Sequence, residues 1–108
     1  MWAQLITVQV KEGNDISAVS EALKAGELPG SGLIRELFLR DQNDPHRFST
    51  LALFASEEMA RAREADPRRA ETTATIQSLL GEILAAPPQF TDFEVLEDWI
   101  VEDPLPTP

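Results

Sequence analysis

The hydrophobic and polar positions of three segments follow the patterns of β-strands: they alternate in the first segment, and apolar residues occupy both parities in the second. In residues 3–10, β-branched residues such as Ile6 and Val8 alternate with polar ones, which is the pattern of a half-buried strand. Residues 33–40 and 48–55 form two further extended runs, separated by a short polar loop. Two strands joined so closely are expected to form a hairpin.

Apolar residues recur at helical spacing between the first two of these strands. Residues 15–25 carry one apolar stripe that includes Val19, which predicts an amphipathic helix. Asn14 or Asp15 can cap its first turn by accepting a backbone hydrogen bond. Gly26 is the predicted stop, because glycine adopts a left-handed C-cap at low cost.

A second helical region follows the hairpin. Ser56 provides a cap for a short helix, and Asp66-Pro67 restarts the chain as a longer helix over residues 68–86, since Asp at a cap and Pro at the first position favour a helix start. Pro87-Pro88 ends it. Residues 90–99 alternate again, which predicts a fourth strand with one wet face.

This order of elements predicts an α+β, ferredoxin-like βαββαβ fold with a four-stranded antiparallel sheet and helices on one face. We expect residues 1–98 to form one domain. Residues 99–108 are acidic and Pro-rich, and we expect them to form an extended or disordered tail.

The apolar content of the sheet predicts a second copy of the chain. Residues 33–39 and 51–54 place large apolar side chains on both faces of their strands, yet helices can cover only one face. Pairing two sheets face to face in a homodimer, as a dimeric α/β barrel, removes this exposed apolar surface. A monomer with a few exposed apolar side chains is the alternative.

Composition narrows the function classes. The 108 residues carry a net charge of −10 and contain no cysteine, which disfavours nucleic acid as a partner and excludes thiolate chemistry. No apolar run approaches the roughly 20 residues of a membrane span, and the N-terminus lacks a basic signal-peptide start. We therefore expect a cytoplasmic protein that does not bind membranes.

Several motifs together resemble one known family. The first strand with Ile6-Thr7-Val8, Pro29-Gly30 before the second strand, Arg40-Asp41 leading to Asp44-Pro45, and the run from Phe54 to Ala60 are similar to the antibiotic biosynthesis monooxygenases. The similarity covers about residues 3–98. Members of this family are typically homodimeric α/β barrels, and some oxidise aromatic polyketide intermediates with molecular oxygen and no metal or flavin. Others degrade haem.

The resemblance implies a cofactor-independent monooxygenase acting on a small aromatic or polyketide-like compound. Family residues transfer poorly, because this chain has no Tyr, and residues 56–86 contain neither the Trp nor the His of the haem-degrading members. A non-catalytic homodimeric module that binds a small molecule or a protein is the alternative. It predicts a filled space between helices and sheet, or a cavity without ionisable groups.

Six residues are candidates for the site. His46, the only imidazole, is a candidate base, and Arg63 is a candidate for orienting an enolate or phenolate; a surface-loop histidine and a solvated arginine are the simpler interpretations. We expect Gln4 to orient the substrate, and Phe38, Phe54 and Met59 to wall an apolar cavity of roughly 300 Å³ or more. Replacing Arg63 by Ala is expected to leave the melting temperature almost unchanged. One His without Cys predicts no metal site.

Overall fold

The computed structural model of the chain describes residues 1–107, and it contains the predicted elements in the predicted order. They are β1 (Trp2–Gln9), α1 (Ser17–Ala25), β2 (Leu33–Arg40), β3 (Arg47–Phe54), α2 (Glu57–Ala65), a 3-10 helix (Pro67–Arg69), α3 (Ala70–Ile83) and β4 (Gln89–Glu94).

The four strands form one antiparallel sheet in the order β2-β3-β1-β4. Side chains alternate between its two faces. The even-numbered positions of β1 and β3, such as Ile6 and Thr50, share a cavity with side chains of the helices. The predicted α+β, ferredoxin-like fold is therefore confirmed.

Side-chain caps begin α2 and the 3-10 helix where the sequence predicts them. The Ser56 hydroxyl accepts a hydrogen bond from the Met59 backbone N–H at 3.1 Å. Asp66 accepts one from the Arg68 N–H at 2.9 Å, with Pro67 in the first position of the 3-10 helix. These bonds satisfy N–H groups that have no partner within a helix.

Two element ends were predicted wrongly. The fourth strand ends at Glu94 instead of Trp99, because Glu94 lies opposite Trp2, the first residue of β1. Beyond it, the Val95 N–H donates a backbone hydrogen bond to the Met1 carbonyl at 3.2 Å. The last helix ends at Ile83 instead of residue 86. Leu84 leaves the helix with extended dihedral angles and bridges to Val10.

Gly26 ends α1 as predicted, but for a different reason. Its φ angle is −94°, so the residue is not in the left-handed region. A Cβ atom at this position would overlap the side chain of Thr72. The glycine is required because α1 and α3 approach closely at this point.

The core lies between the sheet and the helices in two clusters. Trp2, Ala52, Phe54 and Ala60 form one. The other contains Val8, Val10, Ile16 and Phe48. Among residues 1–107, no helix is long and apolar enough to cross a membrane.

Candidate functional site

A cavity of about 140 Å³ lies between the helices and the sheet. Its volume is smaller than the roughly 300 Å³ expected of a small-molecule site, since large side chains, three of them phenylalanines, line it. A cavity of about 150 Å³ accommodates one benzene ring. The space therefore matches a single aromatic ring. Its aromatic walls are Phe38, Phe48 and Phe54.

Strand register brings two polar side chains to opposite sides of one alanine in this cavity. Gln4 of β1 and Glu36 of β2 both lie opposite Ala52 of β3, in the same row across the sheet. Both line the cavity, as Ala52 does. Because the alanine side chain is a single methyl group, the space between the amide and the carboxyl remains open.

Gln4 is oriented by neighbours outside the cavity. Its Nε2 donates a hydrogen bond to Oδ1 of Asp92 at 3.0 Å. The other Asp92 oxygen accepts from Nη2 of Arg61 at 3.1 Å. The Arg61 guanidinium in turn lies 5.0 Å from the ring centroid of Trp2, within cation–π range. This chain of contacts fixes the amide that the sequence predicts to orient a substrate.

Arg63 lines the cavity from α2 and is largely buried, with 10% of its side chain exposed. Its Nη2 and Nε donate to one oxygen of Glu27 at 2.7 and 3.2 Å. Its guanidinium carbon lies 5.6 Å from the ring centroid of Phe54. The interpretation of Arg63 as a solvated helix residue is therefore wrong, because Glu27, 36 residues earlier in the chain, draws it inward.

Glu27 holds the other end of this pair. Burial acts to raise the pKa of Glu27, but the hydrogen bonds from Arg63 and Ser31 outweigh it, and the pKa lies below its ordinary value. The carboxylate therefore stays charged at neutral pH. A permanent anion compensates Arg63, and the pair is fixed in place.

Glu36 is the functional candidate that the sequence analysis missed. Apart from Arg63, it is the one ionisable side chain among those that line the cavity within residues 1–107. Burial raises its pKa above the ordinary value, and the charge of Glu27 adds to this effect, while Arg63 and Arg69 oppose it. Its position two residues before Phe38, on the same face of β2, is the sequence signal that could have identified it.

Arg69 adds a second buried cation beside this group. The residue is 6% exposed, and its Nε has no hydrogen-bond partner within the part of the chain that the structure describes. Burial lowers the pKa of Arg69, and the charge of Arg63 adds to the effect. Two arginines and two carboxylates thus interact as one cluster, and Arg63 and Glu36 of this cluster line the cavity.

The structure brings together four of the six predicted site residues, and two lie elsewhere. Gln4, Phe38, Phe54 and Arg63 line the cavity. His46 does not; it lies in the turn before β3, with 39% of its side chain exposed. Met59 is exposed on α2 and lines a second cleft, which shares only Arg63 with the cavity among the described residues.

The described residues do not assemble a metal site. Within residues 1–107, no group of three or more His, Asp or Glu side chains is placed to hold a metal ion.

Comparison with solved structures shows which known proteins share this fold. A protein from Nitrosomonas europaea named as an antibiotic biosynthesis monooxygenase superposes with a TM-score of 0.67 at 20% identity, covering 90% of this chain and 100% of that one. The chain has the fold of the antibiotic biosynthesis monooxygenases. The resemblance stated from the sequence motifs is confirmed at the level of the fold.

Two further structures share the fold. SnoaB from Streptomyces nogalater, a cofactor-independent oxygenase, superposes with a TM-score of 0.65 at 11% identity, covering 90% of this chain and 94% of that one. A dimeric ferredoxin-like protein from an uncultured marine organism gives a TM-score of 0.71 at 15% identity, with coverage of 94% and 92%. No protein-family model and no curated protein matches the sequence.

Proposed function

We propose that this protein is a homodimeric, cofactor-independent monooxygenase acting on a small phenolic compound. The observation that supports this most directly is the cavity itself, which combines three phenylalanines with Gln4, Glu36 and Arg63. An apolar cavity with a few convergent polar groups is the usual form of a small-molecule site. The fold shared with a named cofactor-independent oxygenase agrees with it.

In this reaction the substrate supplies the electrons. Ionisation of the phenol and loss of a proton from an activated ring-attached CH₂ carbon give a carbanion that molecular oxygen oxidises. One oxygen atom becomes the carbonyl of the product, and the other leaves as water with the two hydrogens of that carbon. The protein positions the ring, accepts a proton and excludes water.

Each polar group has one part in this proposal. Arg63 stabilises the anionic oxygen of the substrate, since a guanidinium close to a developing negative charge lowers the barrier most in a dry site. Gln4 orients a second oxygen of the substrate by hydrogen bonding. The phenylalanine rings pack against the aromatic ring of the substrate.

Ionisable groups in the cavity favour this function over a non-catalytic binding module. That alternative predicts a filled space between helices and sheet, or a cavity without ionisable groups. The cavity contains both a carboxyl group and a guanidinium. Groups with altered pKa values in a cleft are typical of functional sites.

The homodimer is supported by the sheet face that no helix covers. Leu5, Leu37 and Leu51 lie side by side in one row on that face. Leu37, Leu39 and Phe93 are each 37–44% exposed. Burying them in an interface stabilises a dimer by roughly 1 kcal/mol for each side chain, at about 25 cal/mol per Å² of apolar surface. We propose that a second copy of the same face covers them.

Oxygen consumption with labelled oxygen tests the enzyme. The purified protein is incubated under ¹⁸O₂ with one- and two-ring phenols that carry an activated CH₂ group. We expect one labelled atom in the product and one in water, and we expect Arg63→Met to lower the rate at least tenfold. Turnover that releases hydrogen peroxide without labelling the product contradicts a monooxygenase. Absence of any turnover across the panel favours the binding module.

A further inference from the structure

The cavity contains one carboxyl side chain, that of Glu36, that can accept a proton from a ligand. Glu36 extends from the middle of β2 and lies in the same row as Ala52 and Gln4. It is half-buried, and it lines the cavity together with Phe38, the next residue on the same face of β2. A carboxyl group in such a setting can bind and release a proton inside the site.

The surroundings of Glu36 leave its carboxyl group without a fixed partner. Glu27, Arg63 and Arg69 are the charged groups that act on it, from the end of α1, from α2 and from the 3-10 helix. None of them forms a hydrogen bond with it within residues 1–107, and Nε and Nη2 of Arg63 donate to Glu27 instead. This leaves the carboxylate, and Nη1 of Arg63, available to a ligand.

We propose that Glu36 accepts the hydroxyl proton of a phenol bound in the cavity, and that Arg63 holds the resulting phenolate oxygen; the inference deepens the proposed function and depends on it for the ligand class. The O–H bond breaks, its electron pair stays on the ligand oxygen, and the proton moves to a Glu36 oxygen. The charge is thereby transferred from the carboxylate to the phenolate, and the net charge of the site does not change.

This assignment accounts for the altered ionisation of Glu36. A carboxyl with an ordinary pKa holds a proton too weakly to take it from a phenol, and burial raises the proton affinity of Glu36. The nearby arginines favour the phenolate once it forms. Arg69, buried and with an unpartnered Nε, supplies further positive charge next to the site.

The test uses 4-nitrophenol, a one-ring probe whose visible absorption distinguishes phenol from phenolate. At alkaline pH the free probe is a phenolate and Glu36 is ionised, so a bound phenolate beside a protonated Glu36 requires uptake of about one proton for each molecule bound. Calorimetry in buffers of different ionisation enthalpy measures this number. The spectrum of the bound probe shows which species carries the charge.

We expect the wild-type protein to take up about one proton and the bound probe to be phenolate. The isosteric variant Glu36→Gln is expected to bind phenolate with almost no proton uptake. Glu58→Gln, which removes an exposed carboxylate of α2, is the matched control and should behave as the wild type. Equal proton uptake by the wild type and Glu36→Gln overturns the assignment, as does failure of the wild type to bind the probe.

A direct titration covers the case in which Glu36→Gln does not fold. Carboxyl ¹³C resonances of the wild-type protein are followed with pH, with and without the probe. The assignment requires the Glu36 resonance to report a protonated carboxyl when the alkaline sample is saturated with probe; an ionised carboxyl in the complex refutes it. Proton uptake without oxygen turnover refutes only the monooxygenase, so the two proposals can fail separately.

Discussion

Replacing Arg63 by Ala tests the packing of the site without any ligand. Arg63 is a largely buried cation with two hydrogen bonds to Glu27, at 2.7 and 3.2 Å. The substitution removes both bonds and leaves the Glu27 carboxylate, 28% exposed, without its main cationic partner. The sequence alone predicted an almost unchanged melting temperature, whereas the structure predicts a clear loss.

The magnitude follows from the kind of bond that is lost. Hydrogen bonds between charged groups contribute about 1.5–3 kcal/mol, and the partial exposure of Glu27 allows water to replace part of this. We expect a loss of about 2 kcal/mol, which for a domain of this size lowers the melting temperature by about 8 °C.

Thermal and urea unfolding followed by circular dichroism measure this loss, with Glu27→Gln and the double variant completing a mutant cycle. We expect a coupling of about 1–2 kcal/mol between the two positions. Arg68→Ala is the control, because Arg68 pairs with Asp66 on the surface and such pairs contribute little. A coupling below about 0.5 kcal/mol, or equal effects of Arg63→Ala and Arg68→Ala, refutes the reasoning.

Three further predictions concern the dimer, the helix contact and pH. Leu37→Asp places a charge on the uncovered sheet face and should give a monomer in sedimentation equilibrium, whereas the exposed α2 variant Glu58→Gln stays dimeric; a dimeric Leu37→Asp contradicts the proposed interface. Gly26→Ala adds a methyl group that overlaps Thr72 and should lower the melting temperature, and Thr72→Ala should restore part of the loss. Because folding raises the pKa of Glu36 above 4.5, stability is lost as pH rises from about 4.5 through the folded pKa. The melting temperature of Glu36→Gln should therefore be higher than that of the wild type at pH about 8 and equal to it near pH 4. The same difference in melting temperature at both pH values contradicts this.

The strands and most helix ends follow from local signals in the sequence. Alternation located β1, and extended runs on either side of a polar loop located β2 and β3. The caps at Ser56 and Asp66 located α2 and the 3-10 helix. The end of β4 does not follow from alternation, because the last pairing position is set by the first residue of β1. The end of β4 therefore depends on the pairing register between two strands that are distant in the sequence.

Site residues could be predicted from the sequence where the alternation of side chains between the two sheet faces alone sets their position. Gln4, Phe38 and Phe54 line the cavity because they share a sheet face. The burial of Arg63 depends on Glu27, which no helical periodicity connects to it. The position of Glu36 on the cavity face could have been predicted from the same alternation. It was missed because a lone carboxylate in a strand is ordinarily assigned to the solvent-exposed face. His46 was chosen for its chemistry, and the structure places it in a turn outside the cavity.

Methyl NMR with 4-nitrophenol tests the central claim, that the cavity between helices and sheet binds a one-ring phenol. Methyl resonances of Ile6, Val19 and Leu80, which line the cavity, are compared with those of Leu37 and Leu39 on the uncovered sheet face. We expect saturable shifts confined to the first group, and their loss in Ala52→Leu, which fills the cavity. Shifts confined to the second group, or no saturable shift in either, contradict it.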